Sequence, residues 1–303
     1  MMSFNPRLRW RLPFVLCLTI AFAIPTQRAA AAEQGSAGRQ VEAALARMQV
    51  ALAQPVATSL EAVRRGERPV PRRFASAVPG VLAGTLPVAD RKRLFIATLL
   101  PLILRANEEV RAERRRLVAL LARERVRPLS ARETRWLSAL QQRYGSEDRR
   151  ILLRRVDEVP VSLALAQAVE ESGWGRSRFS QLGNAVFGQR TWRKGSGIVP
   201  HRRASGQTFE VQAFDSLLDS VRSYLHNLNT HPAYTPLRRD RADFRAHGLA
   251  PRGLLLAASL EKYSERGQAY VETLRVLIRS NRLQPFDFAR LAPALPADRQ
   301  RRS

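Results

Sequence analysis

Cysteine is almost absent from this 303-residue chain. Cys17 is the only one, and Leu16 before it is too bulky for the small residue that precedes a lipidated cysteine. If the first 32 residues are removed, the mature chain has neither disulfides nor a cysteine nucleophile, and burial alone must stabilise it. Histidine is limited to His201, His226, His231 and His247, which show no H-E-x-x-H or comparable spacing, so no metal site and no cofactor are expected. Lysine is scarce as well: Lys92, Lys194 and Lys262 stand against 48 arginines. No apolar run reaches the ~20 residues that cross a bilayer as a helix, and no internal repeat is visible. What the chain does have is 45% hydrophobic and 25% charged residues, a balance that can bury a core, and a net charge of +25. A field of that sign favours anionic partners, although an arginine-biased composition explains part of it.

Arg7, Arg9 and Arg11 followed by the apolar stretch Leu12–Ile24 and the small residues Ala29–Ala32 have the form of a secretory signal, with cleavage expected after Ala32. The protein is therefore expected to be exported to the periplasm or cell envelope of a bacterium. Residues 33–85 read as a leader helix around Val41–Leu52 and a Pro- and Arg-punctuated linker. A folded domain is expected over 86–282 and a disordered basic tail over 283–303.

Within that domain Leu94–Leu104 is uncharged and reads as a buried helix kinked at Pro101, running on into an amphipathic helix over Asn107–Arg125. Ser130 and Glu133 form a capping box, and Gly145 ends the helix it opens. A short helix is expected over Ser146–Val156. Pro160 then precedes V-S-L-A-L-A-Q-A-V-E-E-S-G-W-G, in which Glu171 lies over Ala164, Gln167 and Ala168 near a helix end. Residues 196–214, rich in Gly, Val and Thr and with G-Q-T-F-E-V-Q-A-F alternating from Gly206, read as a β-hairpin. Helices over Ser216–Asn229, capped by Asp215, then Pro236–His247, Gly253–Tyr263 and Gln268–Ser280 complete the pattern, so the chain is mainly α.

A carboxylate at a helix C-terminus faces the negative end of the dipole, and an adjoining indole lowers the local dielectric; both raise a carboxyl pKa. Glu171 beside Trp174 thus suits a general acid that protonates the leaving oxygen of a glycosidic bond. A solvated C-cap glutamate is the plainer reading. Glu170 points about 100° away around the helix.

The run Val161–Gly188, with E-S-G-W-G at 171–175, S-R-F at 177–179 and G-N-A-V-F-G at 183–188, resembles the glucosaminidase domain of glycoside hydrolase family 73, and within it the Bax-type bacterial proteins. D-R-K-R-L-F-I-A-T-L-L-P-L-I-L-R-A-N from Asp90, R-V-D-E-V-P-V-S-L-A-L-A-Q-A from Arg155, L-N-T-H-P-A-Y from Leu228 and L-E-K-Y-S-E-R-G-Q-A-Y from Leu260 extend the resemblance over roughly residues 88–282. It implies a lysozyme-like helical domain with a small β-hairpin lobe, hydrolysis of β-1,4 bonds after N-acetylglucosamine in peptidoglycan glycan strands, and Glu171 as catalytic acid.

Between Phe187 and Phe214 the only acidic residue is Glu210, a candidate base in the lobe; the substrate's 2-acetamido group is the alternative nucleophile. Trp174, Phe187, Gln189 and Tyr263 are expected near the cleft, with Asn184 holding its loop. Ala185 departs from the G-N-N-x-F-G that many family members carry. Lytic transglycosylases share the helix-terminal Glu-Ser, but their downstream loop usually reads G-A-x-G-L-M-Q. A noncatalytic peptidoglycan-binding protein is the reading from another class, with peripheral contact to an anionic wall or membrane surface. No specific nucleic-acid binding is expected.

Overall fold

The computed structural model describes residues 60–201 and 206–294. The expected signal, its cleavage point and the helix at 41–52 lie outside the described residues, as do 295–303.

The scaffold is α1 (Val88–Glu124), 37 residues and about 55 Å long. It runs past Pro101 as one continuous helix. Proline there removes the bond to residue 97, yet from Leu94 to Leu104 every residue except Thr98 is buried, so packing stabilises the helix on both sides of it. The Thr98 hydroxyl donates to Leu94 O, 2.8 Å away. Among the described residues no helix is long and apolar enough to cross a membrane.

Helices α2 (Ala131–Tyr144) and α3 (Arg149–Arg155) pack on the distal half of α1. The capping box forms as expected, with Ser130 and Glu133 satisfying each other's amides. This outlying group encloses a small core of Leu117, Leu137, Leu140, Tyr144, Leu152 and Val156. Beyond it come α4 (Val161–Ser172), α5 (Arg178–Gly183), α6 (Leu217–Thr230), α7 (Thr235–Ala246), α8 (Gly253–Leu256) and α9 (Gln268–Ser280), around the main core. Helix α4 is central: it packs against α1, α8 and α9, and residues 161–169 are all buried. The α6 cap is Ser216, whose Oγ accepts the Asp219 amide; it replaces the expected Asp215.

Buried Asp157 ties the two cores together. Burial pushes its carboxyl upward, but the guanidinium groups of Arg241, Arg245 and Arg114 outweigh that and hold it below the usual range. Arg245 donates to it at 2.8 Å, and fully buried Arg241 donates to the carbonyls of Arg154, Asp157 and Glu158.

The hairpin expected over 196–214 forms, and one further strand from before it completes a small sheet. Three short antiparallel strands, β1 (Arg190–Thr191), β2 (Gly197–Ile198) and β3 (Glu210–Gln212), pair in the order β1-β3-β2. The register sets Thr191 opposite Glu210 and Gly197 opposite Gln212. The alternating segment is the centre of the sheet, and its partners both come from the Gly-containing stretch before it.

The boundaries expected at 86 and 282 fall inside the packed body. Leu60, Val63, Val70, Val78 and Leu82 belong to the main core, as do Leu283, Phe286 and Leu291. Val70 bridges Leu291 in parallel, with Val70 N on Arg290 O and Ala292 N on Val70 O, both at 2.8 Å. Prolines and arginines at these ends look like linker and tail, but the apolar residues between them carry the packing.

Candidate active site

The end of α4 is built by three successive residues in the left-handed region: Gly173, Trp174 and Gly175, with φ of 58°, 62° and 79°. The amides of Gly173 and Trp174 both turn back to Val169 O, and buried Ser172 donates to Ala168 O while accepting the Gly175 amide. A side chain at Gly175 would meet Leu82 and Phe95 at 3.0–3.3 Å, which explains the glycine. Tryptophan at positive φ is strained, and the turn around it supplies the compensation.

Glu171, in the last turn of α4, is half-buried. Its Oε1 accepts a hydrogen bond from the Tyr270 hydroxyl at 3.0 Å. On its other side Gly188, at φ 61°, comes so close that a Cβ there would lie 3.1 Å from Oε2. Burial raises the carboxyl above its ordinary range; the Tyr270 bond opposes this, and the neighbouring Glu170 charge adds to it. Glu170 faces outward and pairs with Arg266 at 2.5 Å.

Tyr270 is itself held. Gln167, one helical turn before Glu171, donates to the Tyr270 oxygen at 3.0 Å and accepts from Tyr224 at 2.6 Å. This buried chain, Tyr224 to Gln167 to Tyr270 to Glu171, fixes one carboxylate oxygen and leaves the other toward Gly188. It explains the single amide in an otherwise apolar helix face, since a buried glutamine needs partners on both ends. Gln167 was therefore the signal in the sequence; Tyr270, seven residues after Tyr263, was the aromatic it required.

The other expected residues are distributed as follows. Tyr263 stacks on Tyr270, ring centres 5.6 Å apart, and donates to Phe187 O at 3.1 Å, so it joins the site loop to the aromatic wall. Phe187 does not offer a face to a ligand: its ring is buried and stacked on Tyr224 at 3.8 Å. Trp174 is turned onto α1, edge-to-face with Phe95 at 5.8 Å and under the Lys92 ammonium at 5.2 Å. Tyr270 and the Gly188 backbone lie directly against the Glu171 carboxyl. Asn184, at φ 52°, does hold its loop, accepting the Val78 amide and donating to Phe214 O. Gln189 donates to Ser223 at 3.2 Å, and its Oε1 is buried without a partner among the described residues.

Glu210 is occupied. Oε1 accepts the Gly195 amide at 3.0 Å and Oε2 the Gly197 amide at 2.9 Å, within a residue that is 7% exposed. A carboxylate aimed at two backbone donors braces the β1–β2 turn. Along β1, Arg190 extends over the Phe209 ring at 4.4 Å, and its charge reaches Glu171. Trp192, two residues further, is 72% exposed. Among the described residues no three His, Cys, Asp or Glu side chains converge to hold a metal ion.

A helical body with a small antiparallel lobe, and a half-buried glutamic acid at the end of its central helix, is a lysozyme-like arrangement. The Glucosaminidase family model, described as mannosyl-glycoprotein endo-beta-N-acetylglucosaminidase, matches residues 150–283. The chain is also 31% identical over 199 residues to "Protein bax" of Escherichia coli (strain K12), an alignment covering 63% of this chain and 70% of that protein. It belongs to the family of Bax-type proteins with a glucosaminidase domain. No solved structure matches it.

Proposed function

We propose that the protein is an exported hydrolase that cleaves peptidoglycan at β-1,4 bonds after N-acetylglucosamine, with Glu171 as general acid. The observation that carries this reading is a carboxyl group raised by burial, oriented by Tyr270 and backed by a glucosaminidase family match.

The neutral acid donates its proton to the departing glycosidic oxygen as the bond to C1 breaks. The carboxylate left behind is received by the Tyr270 hydroxyl and by the positive fields of Arg266 and Arg190. With Glu210 engaged by Gly195 and Gly197, the nucleophile is the substrate's own 2-acetamido oxygen, which closes on C1. Water then opens that ring, giving one proton back to Glu171. The exposed Trp192 face on the lobe suits stacking against a pyranose ring. Export rests on the charged and apolar pattern of residues 1–32, and an envelope location follows from the substrate.

Purified protein on peptidoglycan, with mass analysis of the fragments, is the test. Reducing N-acetylglucosamine ends are expected; anhydromuramic ends would make the protein a lytic transglycosylase instead. Glu171→Gln is expected to lower turnover by about 10²- to 10⁴-fold, the usual share of general acid catalysis. Its thermal midpoint is not expected to fall, because the variant removes a carboxyl whose ionisation burial disfavours.

A further inference from the structure

Away from Glu171 the two ends of the packed body enclose a half-open cleft of about 450 Å³, within the size range of ligand pockets. One wall is the turn at 63–69 and the other is 285–290, so the cleft flanks the span matched by the family model on both sides. Asp287, on the same C-terminal segment, accepts the Ser162 amide at the start of α4. Glu171 is nine residues further along that helix, about 14 Å away along its axis. The cleft is therefore a second locus.

Four guanidinium groups line it. Arg64 is fixed in the wall, bonded to Glu61 at 2.5 Å and to the carbonyls of Asn281 and Arg282. Arg65 is paired to Glu67 through two bonds. Among the described residues Arg68 and Arg290 have no carboxylate partner, and the Arg290 guanidinium hydrogen-bonds only Ala289 O. Beside them lie apolar surfaces, Pro69, Pro285 and half-exposed Phe288, the last fixed by Arg252 stacked 4.2 Å from its ring centre. A fully hydrated inorganic anion makes no use of such surfaces. A ligand with a carboxylate and small methyl-bearing groups satisfies both halves, because guanidinium forks match carboxylates and alanine-sized side chains fit against proline and phenylalanine.

We propose that this cleft binds the free C-terminal carboxylate of a short peptide of small residues, the chemistry of the peptides that branch from wall glycan. The choice of peptide rests on the glycan-hydrolase reading above; the cleft itself does not. Bound there, a peptide branch would hold the protein on its polymer between cleavage events.

Calorimetric titration of the full chain with acetyl-D-alanyl-D-alanine and with its C-terminal amide tests this. The acid is expected to bind at least 10-fold more tightly than the amide. Arg68→Gln with Arg290→Gln should weaken the acid at least 10-fold while leaving the melting temperature and turnover of a peptide-free glycan oligomer unchanged. The charge-keeping pair Arg68→Lys and Arg290→Lys should lie between. Equal binding of acid and amide, or undiminished binding by the Gln pair, overturns the proposal. So does Arg68- and Arg290-dependent capture of inorganic phosphate or phosphatidylglycerol vesicles without capture of the peptide. Peptide binding should survive in Glu171→Gln, so full glycan cleavage by that variant would remove the catalytic reading and leave the cleft measurement intact.

Discussion

Tyr270 decides how Glu171 behaves. Its hydroxyl bonds the carboxyl oxygen and so favours the ionised form, while burial favours the neutral one and prevails. A raised pKa extends the protonated, proton-donating form to higher pH, and activity should fall as pH climbs through that value. Tyr270→Phe removes the stabilisation of the anion, so the alkaline limb of the kcat/KM profile should move to higher pH. Turnover should drop by roughly 10-fold as one oxygen loses its anchor, in line with the cost of a charged hydrogen bond. An unshifted limb with normal turnover would show that Tyr270 merely fills space. Trp192→Ala should raise KM on glycan oligomers several-fold at nearly constant kcat, the mark of lost binding to a sugar face.

At the scale of elements the lobe is the most demanding piece. Its sheet has only two- and three-residue strands, and ladder bonds alone cannot hold so small a unit. The Glu210 carboxylate compensates by tying Gly195 and Gly197, and Gly197 passes so close to Val211 that a Cβ would sit 2.2 Å from its carbonyl oxygen. Glu210→Gln turns an NH2 toward one of those amides and should cost the lobe about 1–3 kcal/mol locally. Faster hydrogen exchange at Gly195 and Gly197 is the expected readout, with any activity loss following from lobe opening; unchanged exchange with lost turnover would give Glu210 a catalytic role.

Legibility follows the same line. Glu171, the capping box and the helix-ending glycines were readable because each depends on neighbours within a few residues. The partners of Gln167, the sheet order and the burial of Phe187 depend on contacts many positions apart, and no local pattern carries them.

At the largest scale, stability depends on the closure of the segment around Val70 against the segment 283–291. Asp287 receives the Ser162 amide and hydroxyl and the Gly253 amide, so one carboxylate fastens the C-terminal segment to the starts of α4 and α8. The adjoining Val70–Leu291 bridge joins the N-terminal segment to the same place, and Leu283, Phe286 and Leu291 are buried beneath. Asp287→Ala strands three donors in a largely buried setting, which should destabilise the fold by about 2–4 kcal/mol. For a body of this size that is a fall of roughly 4–16 °C in melting temperature. Since the anchor sits at the opposite end of α4 from Glu171, residual turnover below the new midpoint should stay near normal. A variant that melts normally would mean the C-terminal segment is held by its apolar residues alone; one that melts normally yet loses activity would mean α4 transmits the change to its far end.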